Sequence, residues 1–319
     1  MKFLFSLVLC LATIGCNAQT RYTFTHPQMG TMFRLVLYST DSINAQKAAN
    51  EAFVRVDALN DCLSDYLPDS ESNRLCKNAG TWTPVSDDLW NMLAMSIDFS
   101  KITGGAFDVT VGPVTRLWRR ARHRSELPSD AEIKETVEKT GYQNIQMRRR
   151  SKKVLMRKQG MQLDFGGIAQ GYAADECLKI LKKHGNARAL ADAGGDIALG
   201  DPPPGEEGWM VEVPYGMTNG GMQIPVGMTN VGITTSGATY RYLEVNGVRY
   251  SHIVDPRTGC ALTHRVLVTV QAPDAVTADV WATALSVLGL EGWEKLKKKH
   301  PELKVTLSEL PLVETPVND

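Results

Sequence analysis

The stretch that decides the fold is Leu163-Asp164-Phe165-Gly166-Gly167-Ile168-Ala169-Gln170-Gly171-Tyr172-Ala173-Ala174-Asp175. It predicts the end of an apolar strand, a turn through two adjacent glycines and the start of a helix. Adjacent glycines let the backbone turn without a Cβ clash, and the N–H groups at a helix N-terminus attract anions. The stretch is therefore a candidate phosphate-binding turn, although glycines at such a junction also have a purely structural explanation.

The N-terminus has the layout of a secretory signal. Lys2 precedes an apolar stretch, residues 3–11, that is too short to cross a bilayer as a helix. Gly15-Cys16 resembles a lipobox, in which Cys16 becomes the lipidated first residue of a bacterial lipoprotein, and a rival cleavage site follows Ala18. We therefore expect a signal peptide within residues 1–18 and a folded domain over residues 19–319. With cleavage before Cys16, the protein is exported to the periplasm and anchored to the membrane through that cysteine. A soluble periplasmic product is the alternative.

Charge and composition narrow the class of protein. The chain has 35 Lys and Arg and 35 Asp and Glu, and removal of the signal takes away only Lys2, which leaves 34 cations against 35 anions. This balance argues against nucleic acid as a partner. Hydrophobic residues make up 43% and charged residues 22%, which is typical of a soluble globular protein with a sizeable core. Export permits disulfides among four cysteines, and small buried thiols are the other interpretation: Cys62, Cys76, Cys177 and Cys260.

Periodicity predicts helices and strands without a regular βαβ alternation, so the sequence favours an α+β fold. Helices are predicted over residues 42–63, from 86 to about 104, 129–140, from the glycine turn to about 183, 277–288 and 290–300. Strands are predicted near residues 32–38, 154–157, 162–165, 209–213, 230–235, 240–245, 248–253, 265–271 and 303–307. Asn246-Gly247 between two of these strands predicts a hairpin turn of the primed type.

Three further segments carry side chains suited to chemistry. Asp108 follows a glycine-marked helix end, where a ligand can reach the backbone or the carboxylate can simply bond its own turn. His252 ends a strand and is either a proton acceptor near neutral pH or a satisfied polar residue. Asp279 and Thr283 lie four residues apart on one helix face, so they can bind Mg²⁺ together with substrate phosphates. Helix-dipole and back-bonding preferences explain the same pair without a metal.

These segments resemble the motifs of the ApbE family, the FAD:protein FMN transferases, and they occur in family order over nearly the whole mature chain. The matching blocks are residues 29–31, 63–71, 105–118, 163–175, 192–196, 235–237, 251–259 and 277–285. The resemblance implies an ApbE-like, T-fold-like α+β architecture. In it, mixed sheets and packed helices form two lobes around a central cleft for FAD and Mg²⁺.

The resemblance also implies a Mg²⁺-dependent reaction with FAD as a substrate. A threonine or serine hydroxyl of an acceptor protein attacks the FMN-side phosphorus, AMP leaves, and FMN stays on the acceptor through a phosphoester bond. The expected acceptor carries a flavinylation motif and is an exported electron-transfer subunit. The implied Mg²⁺ ligands are the side chains of Asp279 and Thr283 and the backbone carbonyl of Gly167. His252 is the candidate base, and Asp279 is counted with it as catalytic. The implied FAD contacts are Met29, Tyr66, Ala106, Phe107, Asp108, Asp164, Gln170 and Ile253.

The chain departs from the family pattern at two places. Gln170 stands where family members usually carry lysine, so a cation expected near the diphosphate is missing. Residues 118–124 carry arginines where the family tends to have glycine and aromatic residues; these could replace the lost charge, but a solvated basic loop is the prediction. Two other functions stay open. One is a Mg²⁺-dependent FAD pyrophosphatase, in which water replaces the acceptor hydroxyl, and the other is a non-catalytic FAD-binding lipoprotein.

Overall fold

The computed structural model describes residues 19–215, 222–237 and 242–310. The predicted signal peptide, residues 1–18 with Cys16, lies outside the described residues and stays a prediction. Within the described ranges, no helix combines the length and the apolar character needed to cross a bilayer.

Helices and strands alternate irregularly along the described chain. The helices are α1 (Ser42–Leu63), α2 (Glu71–Lys77), α3 (Asp87–Ile102), α4 (Gly112–Arg124), α5 (Asp130–Glu138), α6 (Ala169–Lys183) and α7 (Ala275–Leu296). The strands are β1 (Thr20–Gln28), β2 (Thr31–Ser39), β3 (Thr83–Pro84), β4 (Ile145–Arg148), β5 (Lys153–Met156), β6 (Ala189–Ala193), β7 (Asp196–Leu199), β8 (Trp209–Tyr215), β9 (Met222–Met228), β10 (Gly232–Gly237), β11 (Tyr242–Val245), β12 (Val248–Ser251), β13 (Arg265–Ala272) and β14 (Lys304–Leu310).

A large antiparallel sheet organises the molecule, with strand order β1-β2-β6-β7-β10-β13-β14. Successive residues of a strand face opposite sides of a sheet. Accordingly, Leu35 and Leu37 of β2 join a core formed with α1, α6 and α7. Val36 between them packs instead with Trp209 of β8 and Met228 of β9. Helices thus cover one face of the sheet and the β8–β9 hairpin covers part of the other, which is the α+β architecture predicted.

Several predicted elements are confirmed. Helix α1 begins at Ser42 because the Asp41 carboxylate accepts the N–H groups of Ile43 at 2.8 Å and Asn44 at 3.1 Å. The β11–β12 hairpin turns through Asn246 (φ 52°) and Gly247 (φ 76°), the left-handed pair of a type I′ turn. Gly289 (φ 64°) interrupts α7 where the sequence predicts a break.

Other predictions are wrong in detail. Residues 162–165 are not a strand, and only Gln162 forms an isolated parallel bridge, with Val111. Helix α7 begins two residues earlier than predicted, and its cap is Asp274, which accepts the N–H of Thr277 at 2.8 Å. Residues 118–124 belong to α4 and are not a loop. The cysteines agree with the second of the two interpretations, because the four in the described chain are free thiols, and two of them, Cys62 and Cys177, are buried.

Candidate functional site

The glycine turn brings α6 and α7 into close antiparallel contact. A Cβ added to Gly171 would lie 2.5 Å from the Ala275 carbonyl oxygen and 2.8 Å from Asp279 Cβ. A Cβ added to Gly167 would lie 2.8 Å from the Thr283 hydroxyl oxygen. Only glycine therefore permits this approach at either position. The structure places the three residues of the predicted metal site, Gly167, Asp279 and Thr283, side by side.

Three N–H groups of the glycine turn are used within the turn itself. Gly166 N–H donates to the Asp164 carboxylate at 2.9 Å. The N–H groups of Ile168 and Ala169 both donate to the Phe165 carbonyl, at 3.1 and 2.9 Å. These three N–H groups are therefore engaged inside the protein, and anion binding by the turn stays a prediction.

Asp279 is a buried carboxyl group among other carboxyl groups. The residue is 5% exposed, and its carboxylate accepts the Gly171 N–H at 3.2 Å. Burial raises the pKa of Asp279 well above its usual value, and the negative charges of Asp196 and Asp175 raise it further. Ionised Asp279 is therefore unfavourable here unless a cation comes to the site.

The two neighbouring carboxyl groups, Asp196 and Asp175, lie on the elements that hold the site in place. Asp196 begins β7 opposite Thr234 of β10, and burial raises its pKa to about 6. Asp175 of α6 accepts the N–H groups of Ala275 at 3.0 Å and Val276 at 2.8 Å. Burial raises the pKa of Asp175 to about 7 despite these two hydrogen bonds. Asp175 thus caps the first turn of α7 and holds the helix that carries Asp279.

The donor atoms at this place fit Mg²⁺. A carboxylate from Asp279, a hydroxyl from Thr283 and a carbonyl from Gly167 are all hard oxygen donors, the kind that Mg²⁺ prefers. Thr283 is half-buried and neutral, so the charge of the site comes from its carboxyl groups. A divalent cation bound there would offset that negative charge. A site with so few protein ligands leaves room for water and substrate phosphate oxygens.

A second group of polar side chains surrounds Asp164, at the start of the glycine turn. Its carboxylate accepts the Thr115 hydroxyl at 2.7 Å and an Arg119 N–H at 3.1 Å. Another Arg119 N–H donates to Asp65, so one guanidinium joins the two carboxylates. The same guanidinium lies over the ring of Tyr66, 4.5 Å from its centroid. Burial raises the pKa of Asp65, and the charge of Asp164 raises it further, whereas Arg119 lowers it.

Gln170 connects the turn with the β1–β2 connection. Its side-chain N–H group donates to the Met29 carbonyl at 3.4 Å, and both residues are half-buried. Met29 has a positive φ of 51°, which is uncommon for a residue with a side chain. The structure thus brings Met29 and Gln170 together, and their contacts with FAD stay a prediction.

The loop at residues 106–108 contributes mainly buried groups. Ala106 packs with Ile253, Leu262 and Val287. Val287 lies on α7, one turn after Thr283. The Phe107 ring meets Phe99 edge-on at 6.4 Å in the main core region, and Phe107 is 4% exposed.

Asp108 is bonded within the protein. It accepts the Thr110 N–H at 2.8 Å, the Thr110 hydroxyl at 2.7 Å and the Tyr142 N–H at 2.8 Å. Burial raises the pKa of Asp108. These bonds match the structural interpretation of Asp108 as a turn residue, and its part in FAD binding stays a prediction.

His252 lies just after β12 and is exposed. The residues on either side anchor it, since the Ile253 N–H donates to the Ser251 hydroxyl at 3.0 Å and both flanking residues are buried. Further along, Arg257 is held by Asp255 through two bonds of 2.8 Å. The Arg257 side chain lies 3.7 Å from the position of a Cβ on Gly105, so the loops at 105–108 and 251–259 are in contact.

Sequence reasoning missed Arg119 and Thr115. Their signal was present in the spacing of Val114, Leu117, Trp118 and Ala121, the buried stripe of α4. That stripe predicts a helix, and Thr115 and Arg119, four residues apart, then share one face. The prediction of a solvated basic loop is therefore wrong for Arg119, whose side chain is 27% exposed. It holds in part for Arg120, which is exposed on the same helix.

Known proteins resemble this chain in sequence and in fold. The model of the ApbE family matches residues 29–307. An FAD:protein FMN transferase from Salmonella typhimurium is 31% identical over 321 residues, which cover 94% of this chain and 91% of that protein. The crystal structure of the ApbE protein from Thermotoga maritima has a TM-score of 0.82 at 29% identity, over 91% of this chain and 94% of that one. The flavinyl transferase ApbE from Pseudomonas stutzeri, in its apo form, has a TM-score of 0.81 at 28% identity, over 94% and 99% of the two chains.

Proposed function

The chain belongs to the ApbE family, and we propose that the contact between α6 and α7 is the centre of its activity as an FAD:protein FMN transferase. It is a transferase with FAD as substrate and a protein as flavin acceptor. The observation that supports this location is the juxtaposition of Gly167, Asp279 and Thr283 described above. It joins two sequence segments more than 100 residues apart into one set of oxygen donors.

In this proposal Mg²⁺ is bound by the Asp279 carboxylate, the Thr283 hydroxyl and the Gly167 carbonyl. When bound there, Mg²⁺ supplies positive charge to the phosphate oxygens of FAD. The chain itself contributes the geometry. Gly171 N–H fixes one oxygen of Asp279, and Asp175 fixes the start of the helix on which Asp279 and Thr283 stand.

The chemical step needs a hydroxyl nucleophile and a proton acceptor. The acceptor oxygen attacks the FMN-side phosphorus, a new P–O bond forms, and the bond to the bridging oxygen breaks so that AMP leaves. We assign His252 as the base that takes the hydroxyl proton on a ring nitrogen, since a histidine exchanges protons near neutral pH. Its exposed position beside buried Ser251 and Ile253 supports this assignment, because an incoming protein segment can reach it.

FAD is held, in this proposal, by groups on both sides of the glycine turn. Tyr66 and Asp164 lie on the side of α4, Met29 and Gln170 lie on the side of β1, and Ile253 follows β12. Ala106, Phe107 and Asp108 complete the set through their backbone. Their side chains are buried or bonded inside the protein.

AMP release from FAD tests the function. Wild-type protein with Mg²⁺ is incubated with FAD, with and without a peptide that carries an acceptor threonine, and a matched peptide with valine at that position is the control. We expect release that depends on the threonine. Equal release with either peptide would show an FAD pyrophosphatase instead, and no release in any arm would leave only FAD binding.

We also propose that the chain works outside the cytoplasm as a lipoprotein anchored at Cys16, with an exported electron-transfer subunit as acceptor. The layout of residues 1–18 supports export. Fractionation of cells that produce wild-type protein or Cys16→Ala tests the anchor. We expect the wild type in the membrane fraction and the variant outside it, whereas equal distribution would contradict lipidation.

A further inference from the structure

Arg119 occupies a central position among the groups proposed to hold FAD. Its guanidinium spans the carboxylates of Asp65 and Asp164, whose side chains are only 10% and 8% exposed. These carboxylates come from the end of α1 and from the glycine turn, 54 and 45 residues from Arg119 in sequence. A planar guanidinium can donate to two acceptors at once in fixed directions, and an ammonium group cannot do so with the same geometry.

Without this cation, two largely buried carboxylates would lie near each other with no positive charge between them. The charge of Asp164 already acts on Asp65, and Arg119 opposes that effect. Thr115 also donates to Asp164, but a hydroxyl brings no charge. Loss of the guanidinium would therefore push Asp65 and Asp164 apart, and Asp164 is the residue whose carboxylate fixes Gly166 in the turn.

Tyr66 is the member of this group that a ligand can reach. The residue is 72% exposed, which is high for a large aromatic group. The Arg119 guanidinium lies 4.5 Å from the ring centroid and covers one face, while most of the remaining ring surface is open to solvent. A ring held on one face and open on the other is a platform on which a second planar aromatic ring can stack.

We propose that Arg119 is a positioning residue for FAD, which holds Tyr66 as a stacking platform for an aromatic ring of the substrate and ties that platform through Asp164 to the glycine turn. This inference rests on the proposed function of the site. FAD offers two such rings, the adenine and the isoalloxazine, and both have the planar chemistry required.

FAD affinity tests the proposal. Dissociation constants for FAD, AMP and FMN are measured by titration calorimetry in wild-type protein, Arg119→Ala, Arg119→Lys and Tyr66→Leu. Loss of one cation–π contact and one charge-assisted bridge is expected to weaken FAD binding about tenfold to 100-fold in Arg119→Ala. Arg119→Lys should lie between wild type and Arg119→Ala, because it keeps the charge without the fork. The exposed Arg120 on the same helix supplies the matched control, and Arg120→Ala should bind FAD as the wild type does.

A double-mutant cycle separates positioning from simple stabilisation of the fold. If Arg119 acts through Tyr66, Arg119→Ala combined with Tyr66→Leu should bind FAD about as weakly as the weaker single variant. AMP carries the adenine ring and FMN the isoalloxazine ring. Whichever of the two loses affinity together with FAD identifies the ring that stacks on Tyr66. In steady-state assays KM for FAD should rise by a larger factor than kcat falls.

Several results would overturn this role. Additive effects in the cycle would show that Arg119 does not act through Tyr66. An unchanged FAD affinity in folded Arg119→Ala that only melts earlier would show that Arg119 supports the fold alone. If Arg119→Ala does not fold, the cycle is run with Arg119→Lys, since Tyr66 is exposed and Tyr66→Leu opens no core. Failure of the proposed transferase activity is a separate result. It would appear as no threonine-dependent AMP release in wild-type protein, whatever the affinities of these variants.

Discussion

Replacement of Gly171 by alanine tests whether the close approach of α6 and α7 positions Asp279. The added Cβ would lie 2.5 Å from the Ala275 carbonyl oxygen, a backbone atom that cannot rotate away. The helices must separate by at least about 0.5 Å to reach 3.0 Å, the shortest distance that real Cβ contacts show. Overpacking of this kind costs about 1–3 kcal/mol, and the better helix propensity of alanine returns up to about 1 kcal/mol. We therefore expect Gly171→Ala to lower the free energy of unfolding by up to about 3 kcal/mol, with about 1–2 kcal/mol at the middle of both ranges.

The same displacement should weaken the metal site. Asp279 Cβ would lie 2.8 Å from the new methyl group, and the 3.2 Å bond from Gly171 N–H to Asp279 would lengthen. Urea unfolding measures the stability, and the rise in Tm with added Mg²⁺ measures the binding, since a ligand that binds only the folded state raises Tm. Gly171→Ala should require more Mg²⁺ for the same rise.

A glycine with room for a Cβ supplies the control. Gly227 of β9 has only Met210 Sδ near its would-be Cβ, at 3.7 Å, which is ordinary contact. Gly227→Ala should leave the Mg²⁺ response unchanged. If Gly171→Ala and Gly227→Ala behave alike in both stability and Mg²⁺ response, the packing of α6 on α7 does not set the position of Asp279.

Two further substitutions examine the same region. Gly167→Ala places a Cβ 2.8 Å from the Thr283 hydroxyl oxygen. It should raise the Mg²⁺ concentration that gives half-maximal AMP release at least about threefold, while the far-ultraviolet circular dichroism spectrum stays unchanged. An unaltered Mg²⁺ requirement would count against Gly167 and Thr283 as joint ligands. Burial raises the pKa of Asp175 to about 7 in the folded protein, so the folded state holds this proton more tightly than the unfolded chain does. The stability that Asp175 contributes is therefore fully present at low pH and is lost as the pH rises from about 4 to 7. Asp175→Asn should reduce this loss of unfolding free energy by at most about 4 kcal/mol, measured by urea unfolding at several pH values without Mg²⁺. If the variant loses stability as steeply as the wild type, other groups cause the pH dependence.

Local sequence patterns predicted those elements whose signals are themselves local. Helix α1 has a capping Asp41 and a regular row of buried alanines, and it is found with the predicted bounds. Strands β6 and β7 were not predicted. The β6 sequence, Ala189-Leu190-Ala191-Asp192-Ala193, has low intrinsic strand propensity, and only its position in the middle of the sheet makes it a strand. Its small side chains join the core that α6 covers, which is a tertiary reason invisible to a local pattern.

The site shows the same division. The spacing of Asp279 and Thr283 and the glycines at 166–167 were visible in the sequence, and the structure brings Asp279, Thr283 and Gly167 together. Arg119 was placed in a solvated loop because runs of charge usually face water. Its partners Asp65 and Asp164 are distant in sequence, so only the folded chain shows that the guanidinium is engaged. Asp108 shows the reverse case, because its bonds to Thr110 and Tyr142 give the carboxylate a structural part.

The most direct test of the account is the mass of an acceptor peptide after incubation with FAD, Mg²⁺ and the protein. Wild-type protein should add one FMN group, as a phosphoester, to the peptide that carries the acceptor threonine and none to its valine counterpart. Asp279→Ala removes the buried carboxylate proposed to hold Mg²⁺ and should reduce the adduct to background, whereas Arg120→Ala should form it at the wild-type rate. An adduct formed by Asp279→Ala at a rate near that of wild type would contradict the location proposed for the site.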